Sequence, residues 1–211
     1  MELDNVFYIN LSHRTDRKYN VERQMRQMGW KNYTRFEAIR HKCPAIGCYL
    51  SHIAVLERAK KLGLEYVVVL EDDVVFKDPV LYSKMFHRFR EMGLKWDVLM
   101  MAGSFITVQS RVRDFVYKLQ RAQAGTGYIV KKHYYDVLIN RLKEGAELLL
   151  ANVSDGSSYS KYALDVYWRP LQERDTWLIF LPRTVSQLPG YSDIERKPVN
   201  YDRYMIDFIR P

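Results

Sequence analysis

A run of five apolar residues, Tyr66-Val67-Val68-Val69-Leu70, passes directly into Glu71-Asp72-Asp73 and then returns to Val74-Val75-Phe76. Apolar residues without alternation predict a strand covered on both faces, the kind found inside a parallel sheet. In open α/β sheets, ligands bind beyond the carboxyl ends of such strands. Side chains alternate along an extended chain, so Glu71 and Asp73 are expected to point one way and Asp72 the other. Two carboxylates would then converge on one cation, and hard oxygen ligands suit Mg²⁺ or Mn²⁺. An ordinary acidic turn accounts for the same three acids, since charge runs are usually solvated. The uninterrupted apolar approach favours a site.

A chain of 211 residues, 47% of them hydrophobic, has material for one well-filled core, and a single domain over 1–211 is expected. Lys and Arg outnumber Asp and Glu by 33 to 25, which favours anionic partners without choosing among phosphates, nucleic acid and acidic membrane surfaces. No nucleic-acid-binding motif is present. The first residues, Met1-Glu2-Leu3-Asp4-Asn5, lack the basic start and apolar core of a signal peptide, and no apolar run approaches the roughly 20 residues needed to span a bilayer. A soluble cytoplasmic chain is expected, with no transmembrane segment. In that setting Cys43 and Cys48 are expected as reduced thiols, and no metal partners for them are evident.

Along the chain, Asn5 to Leu11 predicts a first strand, followed by the polar turn Ser12 to Arg17 and a helix to about Gly29 whose core positions are Val21, Met25 and Met28. Arg14 and Arg17 stand at that helix start, where a cation opposes the helix dipole. A contact with a nucleotide explains them there, and so does ordinary solvation. A second strand is expected from Tyr33 to Ala38. Pro44 then opens a helix on which Gly47 shares a face with Ser51 and Cys48 with His52, while Ile46, Leu50 and Ile53 form the buried stripe. A glycine and a hydroxyl at a helix N-terminus make a plausible diphosphate cradle.

Beyond the acids the α/β rhythm continues. It predicts a helix from Pro79 to Met92, a strand from Asp97 to Met101, a glycine turn at Ala102 to Ser104, and a loosened stretch from Phe105 to Ala124. A strand from Gly125 to Val130 follows, with Gly127 marking a close backbone approach. Next come a helix from Lys131 to Lys143, a mobile loop from Asn152 to Lys161, a short helix from Ala163 to Trp168, and a final strand from Trp177 to Leu181. The tail beyond Pro182 reads as irregular and polar.

Five separated pieces now carry a resemblance: Tyr8-Ile9-Asn10-Leu11 with Arg14 and Arg17; Gly47-Cys48 with Ser51-His52; Leu70-Glu71-Asp72-Asp73; Gly127-Tyr128; and Gln187 with Ser192-Asp193-Ile194-Glu195. In that order they resemble glycosyltransferase family 25, which includes bacterial lipopolysaccharide sugar transferases, collagen galactosyltransferase domains and relatives in large DNA viruses. The resemblance implies an α/β fold of GT-A type, a mostly parallel Rossmann-like sheet flanked by helices. It implies a UDP-sugar donor and Mn²⁺ or Mg²⁺ held by the acidic motif. Donor-side positions fall on Asn10, Arg14, Arg17, Gly47, Cys48, Ser51, His52, Asp72 and Gly127. The acceptor would be a saccharide, a lipid-linked saccharide or a protein.

The chemistry of such a reaction agrees with these residues. Breaking a sugar–diphosphate bond places negative charge on the leaving phosphate, which a cation held by Glu71 and Asp73 would stabilise. Inversion requires an acceptor-side carboxylate to take the proton of the attacking hydroxyl. Asp165 is the candidate, because burying an unpaired acid in the apolar stretch Ala163 to Trp168 is costly without a purpose. A helix-start acid favoured by the dipole is the simpler account, and Asp193 is the alternative base. Two other classes stay open: a metal-dependent nuclease, with the excess of eight positive charges as a phosphate-backbone footprint, and a non-catalytic nucleotide-sugar-binding module. The intact acidic cluster argues against the latter.

Overall fold

The computed structural model describes residues 3–152 and 161–206. Nine strands are met first along the chain: β1 (Val6–Asn10), β2 (Tyr33–Glu37), β3 (Tyr66–Glu71), β4 (Val74–Phe76), β5 (Val98–Met100), β6 (Ser104–Arg113), β7 (Val116–Gln123), β8 (Gly127–Lys131) and β9 (Trp177–Phe180). All but β4 join one sheet in the order β2-β1-β3-β8-β5-β9-β7-β6. Within it β1 is parallel to β2 and β3, and β5 is parallel to β9; only β8 and β7 run against the rest. Helices α1 (Thr15–Gln27), α2 (Pro44–Lys61), α3 (Pro79–Glu91) and α4 (Tyr135–Ala151) cover its faces. The expected α/β class and the mostly parallel, helix-flanked sheet are therefore present. Among the described residues no helix is long and apolar enough to cross a membrane.

The period of two along β3 divides the interior into two cores. Val67 and Val69 pack with Ile46, Tyr49 and Leu56 of α2 and Leu138 and Leu142 of α4. Val68 and Leu70 pack on the other face with Val21 and Met25 of α1 and Tyr82, Phe86 and Phe89 of α3. All four β3 residues are fully buried, each stabilising the fold by about 1.5–3 kcal/mol. The buried middle of β3 gives the acids at its end a firmly packed base.

Several sequence expectations are corrected. The stretch 105–124 is not loose: β6 and β7 pair as an antiparallel hairpin. Its alternation was hidden because β6 is a largely exposed edge strand whose register shifts repeatedly. The strand expected from Gly125 starts at Gly127 and runs antiparallel to both neighbours. The helix expected over Lys131 to Lys143 starts later and runs on to Ala151. Within it Gly145 lets α2 and α4 approach, since a Cβ there would lie 2.5 Å from the Tyr49 hydroxyl. Trp177–Phe180 is not the last strand either. β10 (Val185–Gln187) pairs with β4, and β11 (Gly190–Ser192) pairs with β12 (Lys197–Val199) before a short helix, Asp202–Met205. Of the loop expected from Asn152 to Lys161, residues 153–160 lie outside the described residues.

Candidate functional site

β3 stops at Glu71 and the chain turns through Asp72 and Asp73 into β4. Residues of α1 grip this turn. Asn20 Nδ2 donates to the carbonyls of Asp72 (3.3 Å) and Val74 (3.1 Å), and Gln24 Oε1 accepts from the Phe76 N–H at 2.9 Å. The Leu188 N–H donates to the Asp73 carbonyl at 2.6 Å. The expected in-and-out alternation of the three acids therefore does not hold, because Asp72 and Asp73 lie in a turn rather than a strand. Both instead converge on one guanidinium: Arg17 Nη1 lies 3.1 Å from Asp72 Oδ1 and 3.2 Å from Asp73 Oδ2. Asn10 Nδ2 donates to Asp72 Oδ2 at 2.7 Å. Asp73 Oδ1 is buried without a hydrogen-bond partner. The spacing of Arg17, Asn20 and Gln24 on one helical face, polar where α1 meets the sheet, was the overlooked sequence signal.

Glu71 also has partners on α2. Its Oε1 lies 3.3 Å from His52 Nε2 and 3.8 Å from Cys48 Sγ, and the ligand atoms of these three residues all lie within 4.8 Å of one another. The expectation that the cysteines lack metal partners is thus overturned for Cys48, because α2 lays it beside the end of β3; Cys43 and Cys48 are both free thiols. The other nitrogen of His52, Nδ1, is 2.8 Å from the Tyr128 hydroxyl, a contact that sequence reading missed.

The glycines exchange roles. Gly127 does not line the cleft; it sits in the sheet, where a Cβ would lie 3.0 Å from Leu70 Cδ2. Gly125 lines it instead, and a Cβ there would lie 3.1 Å from Glu71 Oε1. The space beside Gly47, expected to cradle a diphosphate, is taken by the chain itself: a Cβ would meet the Ile39 carbonyl oxygen at 2.6 Å. Ser51 Oγ completes this clamp, accepting from the Ile39 N–H at 2.8 Å and donating to the Gly47 carbonyl at 2.7 Å.

These groups open onto a cleft of about 710 Å³, which Arg14, Arg17, Cys48, His52, all three acids, Asp165 and Asp193 also line. Asp165 is not unpaired as expected; its Oδ2 accepts from the Ala124 N–H at 2.9 Å. Arg14 holds Asp193 at 2.9 Å across the cleft and its near neighbour Asp16 at 3.0 Å, while Arg17 Nη2 donates to the Tyr191 carbonyl at 2.9 Å. The segment around β11 is tied down by the two arginines expected to contact a donor.

Burial dominates the electrostatics. Burial, reinforced by the charge on Glu71, pushes the Asp73 carboxyl up to about 8. Burial also raises Asp72, against the opposing help of Asn10 and Arg17, and raises Asp165 against its bond from Ala124. The Cys48 thiol is pushed well up by burial and then by Glu71. So many acidic groups held towards their neutral forms mark a place where added positive charge is favourable. The orphaned Asp73 oxygen and the neighbouring carboxylates fit a hard divalent cation.

Comparison with known proteins places these features in a family. The family described as "Glycosyltransferase family 25 (LPS biosynthesis protein)" matches residues 43–149, half of the chain, from the start of α2 through the acid turn to α4. An "Inactive glycosyltransferase 25 family member 3" of Mus musculus is 30% identical over 112 residues, covering 51% of this chain and 17% of that protein. A "Procollagen galactosyltransferase 1-B" of Xenopus laevis is 26% identical over 130 residues, covering 47% of this chain and 21% of that protein. The chain thus spans about a fifth of the length of these curated relatives. Among solved structures, a mannose-1-phosphate geranyltransferase from Thermus thermophilus superposes with a TM-score of 0.49 at 12% identity, over 88% of this chain and 76% of that one. A glycosyltransferase involved in glycosylation of the major capsid of PBCV-1 gives a TM-score of 0.41 at 11% identity, over 83% and 92%. The match over α2, the acid turn and α4 decides the matter: the chain belongs to glycosyltransferase family 25.

Proposed function

We propose that this chain is a divalent-cation-dependent glycosyltransferase that moves a sugar from a UDP-sugar to a hydroxyl of a saccharide, lipid-linked saccharide or protein, with inversion. The observation that carries this reading is the buried, unpartnered Oδ1 of Asp73 in a carboxylate cluster on the cleft of a family 25 chain. Glu71 and Asp73 would hold Mn²⁺ or Mg²⁺, which when bound supplies Lewis-acid stabilisation of the departing diphosphate. Asn10 fixes Asp72, and Arg17 neutralises Asp72 and Asp73 until a ligand claims it. Arg14 and Arg17 then offer charge-assisted bonds to phosphate oxygens. Asp165, held by the Ala124 N–H, accepts the proton of the attacking hydroxyl.

The name of the mouse relative favours a second reading, a binding module without turnover. Incubation with a panel of UDP-sugars and Mn²⁺, following UDP release and thermal stabilisation together, separates the two. Donor-dependent stabilisation without release supports the binding module. A nuclease would degrade nucleic acid and ignore the sugar.

A further inference from the structure

We infer that Cys48, His52 and Glu71 form a site for a thiophilic divalent ion of the Zn²⁺ class, on a donor set different from the hard-oxygen set of the acid turn. A tetrahedral zinc with bonds of about 2.3 Å to sulfur and about 2.0–2.1 Å to nitrogen and oxygen separates S from O by about 3.5 Å and N from O by about 3.3 Å. The corresponding distances are 3.8 Å and 3.3 Å. Both distances to Glu71 are therefore near their ligated lengths, and the ligand atoms of all three residues lie within 4.8 Å of one another.

Four further observations point the same way. The ring of His52 is buried and held at Nδ1 by the Tyr128 hydroxyl, the kind of outer partner that orients a metal-ligating imidazole and leaves Nε2 for the ion. The ring is also stacked on that tyrosine at 5.7 Å, which restricts its rotation. Gly125 leaves room beside Glu71 and His52, since a Cβ there would crowd Glu71 Oε1 at 3.1 Å and touch His52 Cε1 at 3.5 Å. Three protein ligands beside an open cleft leave room for a fourth ligand from solvent. The donor types decide the ion: thiolate and imidazole select zinc-like metals, whereas carboxylates alone suit Mg²⁺ and Mn²⁺. Binding releases the thiol proton of Cys48, so affinity increases with pH. The site itself does not depend on the sugar-transfer reading. One consequence does: because Glu71 belongs to both donor sets, zinc would antagonise manganese-supported transfer.

The test uses the metal-free full chain titrated with Co²⁺, the spectroscopic stand-in for zinc. A near-ultraviolet thiolate-to-cobalt charge-transfer band is expected, with the intense visible bands of four-coordinate cobalt, and one equivalent of Zn²⁺ should abolish both. The chain has two cysteines, so Cys43→Ser should keep the band and Cys48→Ser should lose it. His52→Ala should lower Co²⁺ affinity at least tenfold. If Cys48→Ser does not fold, retention of the band in Cys43→Ser still assigns it to Cys48. Weak six-coordinate absorption without charge transfer in the wild type would overturn the site, as would a band that survives in a folded Cys48→Ser. Neither result bears on UDP release, so failure here and failure of the sugar-transfer reading are separable.

Discussion

Arg17 holds Asp73 by one carboxylate oxygen, at 3.2 Å, while the other oxygen of the same buried carboxylate has no partner. An ion pair that leaves half of its acid unsatisfied is a costly arrangement for stability alone. It suits a site in which the arginine holds the place of a second cation.

Removal of that guanidinium should leave the buried Asp72 carboxyl without its cation and Asp73 without its hydrogen-bond donor. With the Arg17 side chain 16% exposed, Arg17→Ala is expected to destabilise the metal-free protein towards the lower end of the about 3–5 kcal/mol seen when one partner of a buried pair is deleted. Manganese should restore part of the loss, and UDP affinity should fall by roughly 1.5–3 kcal/mol. Melting curves with and without chelator, and calorimetric titration with UDP, measure both. An unchanged UDP dissociation constant would return Arg17 to a purely structural part.

The pH dependence of metal-free stability follows from Asp73. Its pKa rises from the ordinary 3.8 to about 8 on folding, so the folded chain retains a proton that the unfolded chain has already lost. This contribution is fully present below about pH 4, declines as the pH rises, and is gone above about pH 8. The melting temperature in chelator should fall across that window, and Asp73→Asn should flatten the profile. The same variant should lack manganese-dependent transfer while remaining folded. A wild-type profile with no slope over this range contradicts the burial argument.

Asp165→Asn tests the acceptor side. Asparagine can still accept from the Ala124 N–H through its amide oxygen, so the fold and UDP-sugar binding should persist. Transfer should drop on the order of 10²–10⁴-fold, the usual contribution of general-base catalysis. If manganese affinity falls in parallel, Asp165 is a ligand instead and the base lies elsewhere, with Asp193 the next residue to examine.

Two glycines two residues apart should behave differently. Gly125→Ala places a methyl 3.1 Å from Glu71 Oε1 and should displace that carboxylate, lowering transfer by about 10–100-fold. Gly127→Ala meets the flexible end of Leu70 at 3.0 Å, an overpacking cost of about 1–3 kcal/mol with kcat preserved. Melting temperature and kcat for the two proteins, side by side, check the assignment. Equal losses of kcat would mean that Gly127 also acts on the site.

What was legible in the sequence rested on local periodicity and on runs of one residue type. The unbroken apolar stretch of β3, the helical spacing of Val21 and Met25, and Pro44 at the start of α2 each report a short-range preference, and each element formed where expected. The edge hairpin was not legible because β6 is mostly solvent-exposed and its register slips, so no hydrophobic period marks it. The acid run itself was visible as composition, but not the partner of each acid. Arg17 reaches Asp72 across 55 positions, Asn10 reaches it across 62, and His52 meets Glu71 across 19. The sequence alone thus determined the α/β class, the strand that ends in carboxylates, and the family. Tertiary structure decided that Asp72 and Asp73 share an arginine while Glu71 joins a cysteine and a histidine, because the packing of α1 on one face of the sheet and α2 on the other sets those distances, and no local period encodes them.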